Sequence, residues 1–269
     1  MKVKRLNHSN RKAIQAAFLV SQLVRRDLKI RYAGSTFGPA WALFTPLAWV
    51  LIYCFVFSVV LKVPLLGERN GINFPEYLLA AFLPWLAVQE GISRSATCLS
   101  DNAQMIKKSV FFRESLVASV VLSAVVNELI AFFLYSVYLG FRGHLSAAWV
   151  LLLLPLLALQ VLITYGLGCI LAGLNVFVRD TAQAVILGLA MLSFLTPIFY
   201  SVSMVPARFR WVIEANPFAH LVEAFRDAFY RQQFPGMASA LYLVTFAVFV
   251  SILGSLLFVK AEPHFADLL

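Results

Sequence analysis

Six apolar runs, each long enough to cross a bilayer, constrain this chain more than any other feature. A span needs about 17 to 25 residues. The runs cover residues 39–61, 77–97, 115–139, 149–174, 182–200 and 237–259, and Glu90 and Arg94 fall near the end of the second. Across 269 residues, 61% are hydrophobic and 13% charged, with a mean hydropathy of +0.82. An average soluble domain is about 25% charged. The pattern predicts an all-α polytopic membrane protein, and no two runs share an internal repeat. We read one transmembrane domain over 1–269: a cytoplasmic interfacial helix at 1–36, a six-span core at 37–260 and a cytoplasmic tail at 261–269.

The formal net charge is +9. In a hydrophobic chain, such an excess belongs in cytoplasmic loops facing anionic lipid, and no soluble basic patch exists for a nucleic acid. Fifteen of the 22 Lys and Arg residues lie before residue 37, in the loops at 93–114 and 175–181, or after 259. This distribution predicts that both termini are cytoplasmic. Residues 13–24, AIQAAFLVSQLV, run straight into RRDLKIRY with no cleavage site of a secretory signal. On a helix, Ile14, Ala17, Ser21, Val24, Leu28 and Tyr32 share one side, while Arg11, Gln15, Gln22, Arg26 and Lys29 share the other. The expected element is an amphipathic helix on the membrane surface, ending where Gly34, Gly38 and Pro39 turn the chain inward.

The connection at 201–236 is too long for a turn and too apolar for a solvated loop. RFRWVIEA and AHLVEAFRDAFYRQ carry helical periodicity on either side of Asn216 and Pro217, a turn signal. Two short re-entrant helices in the outer leaflet fit this pattern. Non-helical backbone at that depth is tolerated only against protein or a water-filled path, so the segment is expected to form a gate.

Catalytic motifs are missing. The sequence has no G-x-x-x-x-G-K-[ST] loop, so any ATP that drives it is bound by another polypeptide, and it has no G-x-S-x-G or H-E-x-x-H. Cys54, Cys98 and Cys169 and the four histidines are scattered without ligand spacing, and no metal site is expected. Glu90 and Arg94 are placed to pair across one helical turn. Glu128, beside Asn127, sits near the middle of the third run, where an ionisable group costs at least ~2.5 kcal/mol unless paired or wet. It is either a functional acid or a hydrogen-bonded structural one. The aromatics include Trp41, Trp49, Tyr53, Trp85, Phe194, Phe199 and Tyr200. Most rings in such a chain serve as core or interfacial belt. Those on the first and fifth runs would suit a sugar conduit, because a pyranose stacks its C–H face on an aromatic ring.

Four stretches, taken together, resemble a known family over nearly the whole chain. They are RRDLKIRYAGSTFGPAW, AFLPWLAVQEGISRSATCLSDNAQMIKKSVFFRES, LNVFVRDTAQ, and TPIFY followed by NPFAHLVEAFRDAFY; the ending EPHFADLL adds to them. The chain resembles the membrane-spanning permease subunit of type-2 ABC exporters that move polysaccharides, O-antigen exporters in particular. One departure is VFFRES, where Phe112 replaces the proline of the family's Tyr-Phe-Pro-Arg-Glu-like stretch.

That resemblance implies a homodimer, each copy with six spans, seated on two ABC ATPase subunits that carry the ATP and Mg; this chain itself would hold no cofactor. The dimer would enclose a channel lined by aromatics, for which Trp41, Trp49, Tyr53, Phe194, Phe199 and Tyr200 are the candidates. The loops after the second and fourth spans would take up ATPase movement through Asn102, Met105, Lys107, Lys108, Arg113, Arg179 and Asp180. Arg25, Arg26, Lys29 and Arg31 would meet the pyrophosphate of a polyprenyl-linked glycan, since guanidinium forks match phosphate oxygens; attraction to anionic membrane lipid explains the same charges. Glu90, Arg94 and Glu128 complete the polar set as intramembrane residues. The expected location is the bacterial inner membrane. Rival substrates are capsule polysaccharide, teichoic acid or a drug, and the rival class is a polytopic enzyme acting on a lipid-linked sugar.

Overall fold

A computed structural model describes residues 8–31, 34–60, 62, 74–108, 111–141, 143, 148–231 and 233–269. Every regular element among the described residues is helical. In chain order they are α1 (His8–Arg31), α2 (Trp41–Cys54), α3 (Phe74–Asp101), α4 (Ala103–Lys108), α5 (Glu114–Phe141), α6 (Ala148–Phe177), α7 (Thr181–Leu195), α8 (Arg210–Glu214), α9 (Pro217–Arg226), α10 (Met237–Ala261) and α11 (Phe265–Leu268). Among the described residues, three helices are long and apolar enough to cross a membrane: Glu114–Phe141, Leu151–Phe177 and Met237–Leu268.

α3 is the hub, packing on α5, α6, α7 and α9. Leu78, Ala80, Ala81, Ala96 and Leu99 along its length have no exposed surface. A helix enclosed by others can carry Glu76, Glu90 and Arg94 because its polar groups face protein partners rather than lipid. Glycines set how closely the helices approach. A Cβ on Gly166 of α6 would lie 2.5 Å from the Val250 carbonyl oxygen of α10, and one on Gly254 would strike the Gly166 backbone. Small residues let helix backbones touch where lipid supplies no hydrophobic drive to associate.

The fifth apolar run is shorter as a helix than its hydropathy suggests. α7 has 15 residues, about 22 Å at 1.5 Å per residue, against a hydrocarbon core of about 30 Å. It stops at Thr196, whose extended backbone precedes Pro197, as a residue before proline tends to do. TPIFY (196–200) is therefore irregular. α2 continues as a π-helical segment, Phe55–Val60.

Both helical patterns in the 201–236 connection form helices, α8 and α9, and α9 runs on into a π turn at Asp227–Arg231. Asn216 caps α9 by accepting from the Phe218 amide at 3.0 Å, with Pro217 in the first turn. The C-terminal segment is packed rather than loose. Phe265 is fully buried against Phe258, with ring centroids 5.1 Å apart, and Arg113 donates to the Glu262 carbonyl at 2.5 Å.

The covered face of α1 differs from the expected stripe. Leu23, Val24, Asp27, Leu28 and Arg31 are half-buried, whereas Ala17 and Ser21 are exposed. Leu23 packs on the core cluster that holds Cys98, Leu99 and Leu116. This face packs on α5, and its Asp27 and Arg31 reach across to pair with Arg94 and Glu90 of α3. Charge therefore sets the rotation of the helix together with hydrophobicity.

Candidate functional site

A crevice of about 440 Å³ opens between the end of α1 and helices α2, α3 and α5. One wall is apolar and aromatic, with Trp41, Pro46 and Trp49 from α2; the other carries Glu90 and Ser93 from α3 and Asn127 and Glu128 from α5. Trp41 and Trp49 are each 45% exposed, and Trp41 meets Phe37 and Phe44 edge to face. Glu128 is 3% exposed; its Oε2 accepts from Gln160 Nε2 of α6 at 2.6 Å. Glu128 Oε1, Asn127 Oδ1 and Gln160 Oε1 are buried with no hydrogen-bond partner.

At the mouth, four charges form an alternating network. Arg31 pairs with Glu90, Arg94 pairs with Asp27, and Arg94 also reaches Glu90 at 3.4 Å. Asn127 Nδ2 approaches Glu90 Oε2 at 3.5 Å. The Glu90–Arg94 pair expected from spacing is present, and α1 adds an acid and a base to it. Asp27, four residues before Arg31, was the sequence signal for this extension. Arg31 thus engages an internal carboxylate, while Arg25, Arg26 and Lys29 face outward and Arg26 reaches the Met105 sulfur at 3.9 Å.

A second polar cluster, which sequence reasoning missed, is centred on Arg226. Its side chain is fully buried, yet it donates to the carbonyls of Pro197 at 2.6 Å, Ile198 at 2.8 Å and Tyr77 at 3.3 Å. It also pairs with Glu223 at 2.5 Å and sits 3.6 Å over the Tyr77 ring. The Pro197 and Ile198 carbonyls lie where α7 has ended, so the guanidinium supplies donors to backbone that no helix continues to satisfy, and through the Tyr77 carbonyl it ties that stretch to α3. The signal was one arginine on the apolar face of Phe218, Leu221, Val222 and Phe225. Next to it, burial pushes the Asp227 carboxyl up, and Arg231, donating at 2.6 Å, pulls it back down.

The candidate channel aromatics separate into two groups. Trp41, Trp49 and Phe194 are exposed on the bundle; Phe194 is 71% exposed. Phe199 is instead buried at 7%, packed against Phe82 with centroids 6.0 Å apart, because the irregular TPIFY stretch turns it into the core. Tyr200 is half-buried and donates its hydroxyl to the Phe194 carbonyl at 3.0 Å. The Tyr53 side chain lies outside those described, and Trp85 is a core residue against Phe218.

The sequence profile of the ABC-2 type transporter family matches residues 19–230. The chain belongs to this family. It includes every helix from the covered part of α1 to the Arg226 cluster. The O-antigen export system permease protein RfbA of Klebsiella pneumoniae is 32% identical over 260 residues, covering 93% of this chain and 95% of the relative. RfbA of Myxococcus xanthus is 29% identical over 261 residues, covering 96% and 97%. The polysialic acid transport protein KpsM of Escherichia coli is 20% identical over 244 residues, covering 90% and 93%. This ABC-2 chain is thus a membrane-embedded transport subunit of a family whose members are not themselves enzymes.

In this ABC-2 chain the two expected coupling segments lie at the ends of α3 and α6. Asn102 donates to the Cys98 carbonyl at 2.9 Å, closing α3 before α4 begins. Lys107 and Lys108 are exposed, Met105 is half-buried, and Ile106 is buried beneath them. Arg113 is committed to Glu262 of the C-terminal segment, whose carboxylate lies 3.8 Å away. Arg179 and Asp180 are exposed in the turn before α7. Asn175, not Asp180, caps that helix, accepting from the Ala182 amide at 3.2 Å.

Proposed function

We propose that this chain is the membrane subunit of an ATP-driven exporter that carries a lipid-linked polysaccharide of the O-antigen type from the cytoplasmic to the outer side of the inner membrane. The observation that carries this reading is similarity over more than nine-tenths of both chains to permeases named for O-antigen export. In this reading two copies of the chain form the transport path and sit on two ABC ATPase subunits, which hold the ATP and Mg. Both termini are cytoplasmic, six segments span the membrane, and α8 and α9 re-enter it from outside.

Physical chemistry supports the assignment of roles. Lys107 and Lys108, exposed above buried Ile106, give a partner ATPase charged anchors on a fixed base. Arg25, Arg26 and Lys29 form the outward cations of α1 and meet the pyrophosphate or anionic lipid, while Arg31 holds α1 to α3. Similarity to KpsM favours capsule polysaccharide as the second substrate reading.

The test is deletion of this gene in its host, with surface polysaccharide and cytoplasmic lipid-linked glycan measured together. The expected outcome is loss of the surface polymer and build-up of the lipid-linked form inside. Loss of the surface polymer without build-up would indicate a role in synthesis and overturn the export reading.

A further inference from the structure

We propose that residues 262–269 form a third contact for the ABC ATPase, set between the two coupling segments. The inference rests on the export reading and adds a docking surface to it. The geometry starts from Phe265. It is fully buried in the cluster that also holds Ile106 of α4 and Val176 of α6, and α11 packs on both of those helices. Two further contacts fix the stretch. The Glu262 carbonyl accepts from Arg113, a few residues after α4, at 2.5 Å, and His264 lies against Phe177 at the end of α6, with ring centroids 6.4 Å apart. One short piece of chain therefore touches both segments expected to meet the ATPase.

What this stretch and its neighbours leave outside has the chemistry of a protein contact. Leu268 is 47% exposed and Val178 is 51% exposed, while Lys107, Lys108, Arg179 and Asp267 are exposed on the same three pieces of chain. Exposed apolar side chains rimmed by charge mark a protein or a membrane contact. The signs of the charges decide between the two. An anionic membrane surface selects a basic face, which is what Arg25, Arg26 and Lys29 give α1. Here Asp180 and Asp267 stand among the cations, and apolar anchors within a rim of mixed charge fit a folded protein. Continuity with α4 and the turn at 178–180 commits that protein to be the ATPase.

The experiment uses the full chain in membranes, co-expressed with its ABC ATPase. A photo-cross-linking benzoylphenylalanine replaces Leu268, with Lys108 as a second position and Phe249 as the control; Phe249 is 62% exposed within α10. After irradiation, the proteins joined to the chain are identified by mass. Adduct with the ATPase at 108 and 268, and none at 249, is expected. No ATPase adduct at 268, an adduct there only with a second copy or with lipid, or equal adduct at 249, overturns the docking surface; ATPase adduct at 108 then leaves the export reading standing. Failure of the export reading looks different: no ATPase co-purifies with the wild-type chain, and the docking surface falls with it.

Leu268→Asp is the second variant. It places a charge in the apolar part of the contact, so the affinity of the chain for the ATPase should fall about tenfold. The melting temperature of the chain alone should hold, because the side chain is exposed. Unchanged affinity overturns the proposal.

Discussion

Two buried polar clusters in the same helical bundle are built in opposite ways. Around Arg226, the guanidinium meets three carbonyls, a carboxylate and an aromatic face. Around Glu128, one oxygen is bonded and three nearby acceptor atoms have nothing to accept from. The Arg226 cluster holds three pieces of chain together: α3, α9 and the break after α7. The Glu128 cluster joins only α5 and α6 and leaves acceptors bare in the interior. In a low-dielectric interior, a satisfied polar network rigidifies, and bare acceptors are a cost.

The sharpest way to break that contrast is Arg226→Leu. It strips the partners from the Pro197, Ile198 and Tyr77 carbonyls and strands Glu223, and it should cost about 3–5 kcal/mol. The variant is expected to be lost from the folded peak on size-exclusion chromatography in detergent. Arg226→Lys should not rescue it, because an ammonium cannot serve carbonyls spread across a planar fork. A folded, active Arg226→Leu protein would remove the structural half of the comparison.

Gly254→Ala comes next. The obstructing atoms belong to the Gly166 backbone, which has no side chain to swing aside, so a loss of about 1–3 kcal/mol is expected, read as a lower melting temperature in detergent. Glu90→Gln sharpens the contrast at the crevice mouth. It weakens the half-exposed pairing of Arg31 and Arg94 by about 0.5–1 kcal/mol, and hydrogen exchange should quicken in α1 while the rest of the bundle is unaffected.

The smallest effect concerns Asp227. Its carboxyl is raised by burial, so the stability tied to its protonation is present below the ordinary carboxylate range and lost as pH rises through the raised value. Asp227→Asn, which imitates the neutral acid, should show a flatter fall in melting temperature between acid and neutral pH than the wild type.

Hydropathy made α5, α6 and α10 legible, because each is long enough and apolar enough to cross a membrane despite isolated polar residues such as Glu128 and Gln160. Asn216 and Pro217 announced the start of α9 through capping chemistry that works within a few residues. The limits arose where contacts distant in sequence decide the outcome. The rotation of α1 depends on Glu90 and Arg94, about sixty residues away. Phe199 points inward because Arg226 and Tyr77 hold the broken stretch beside it. Glu128 stood out as an acid in an apolar run; its partner Gln160, one polar residue in another run, could be found only by bringing α5 and α6 together.

The most direct measurement is transport by the chain and its ATPase in sealed vesicles loaded on one face with a polyprenyl-pyrophosphate glycan. The glycan should reach the opposite face only when both subunits and hydrolysable ATP are present. Glycan that stays in place while ATP is hydrolysed, or that crosses without the ATPase, would contradict the assignment of this chain as a polysaccharide exporter.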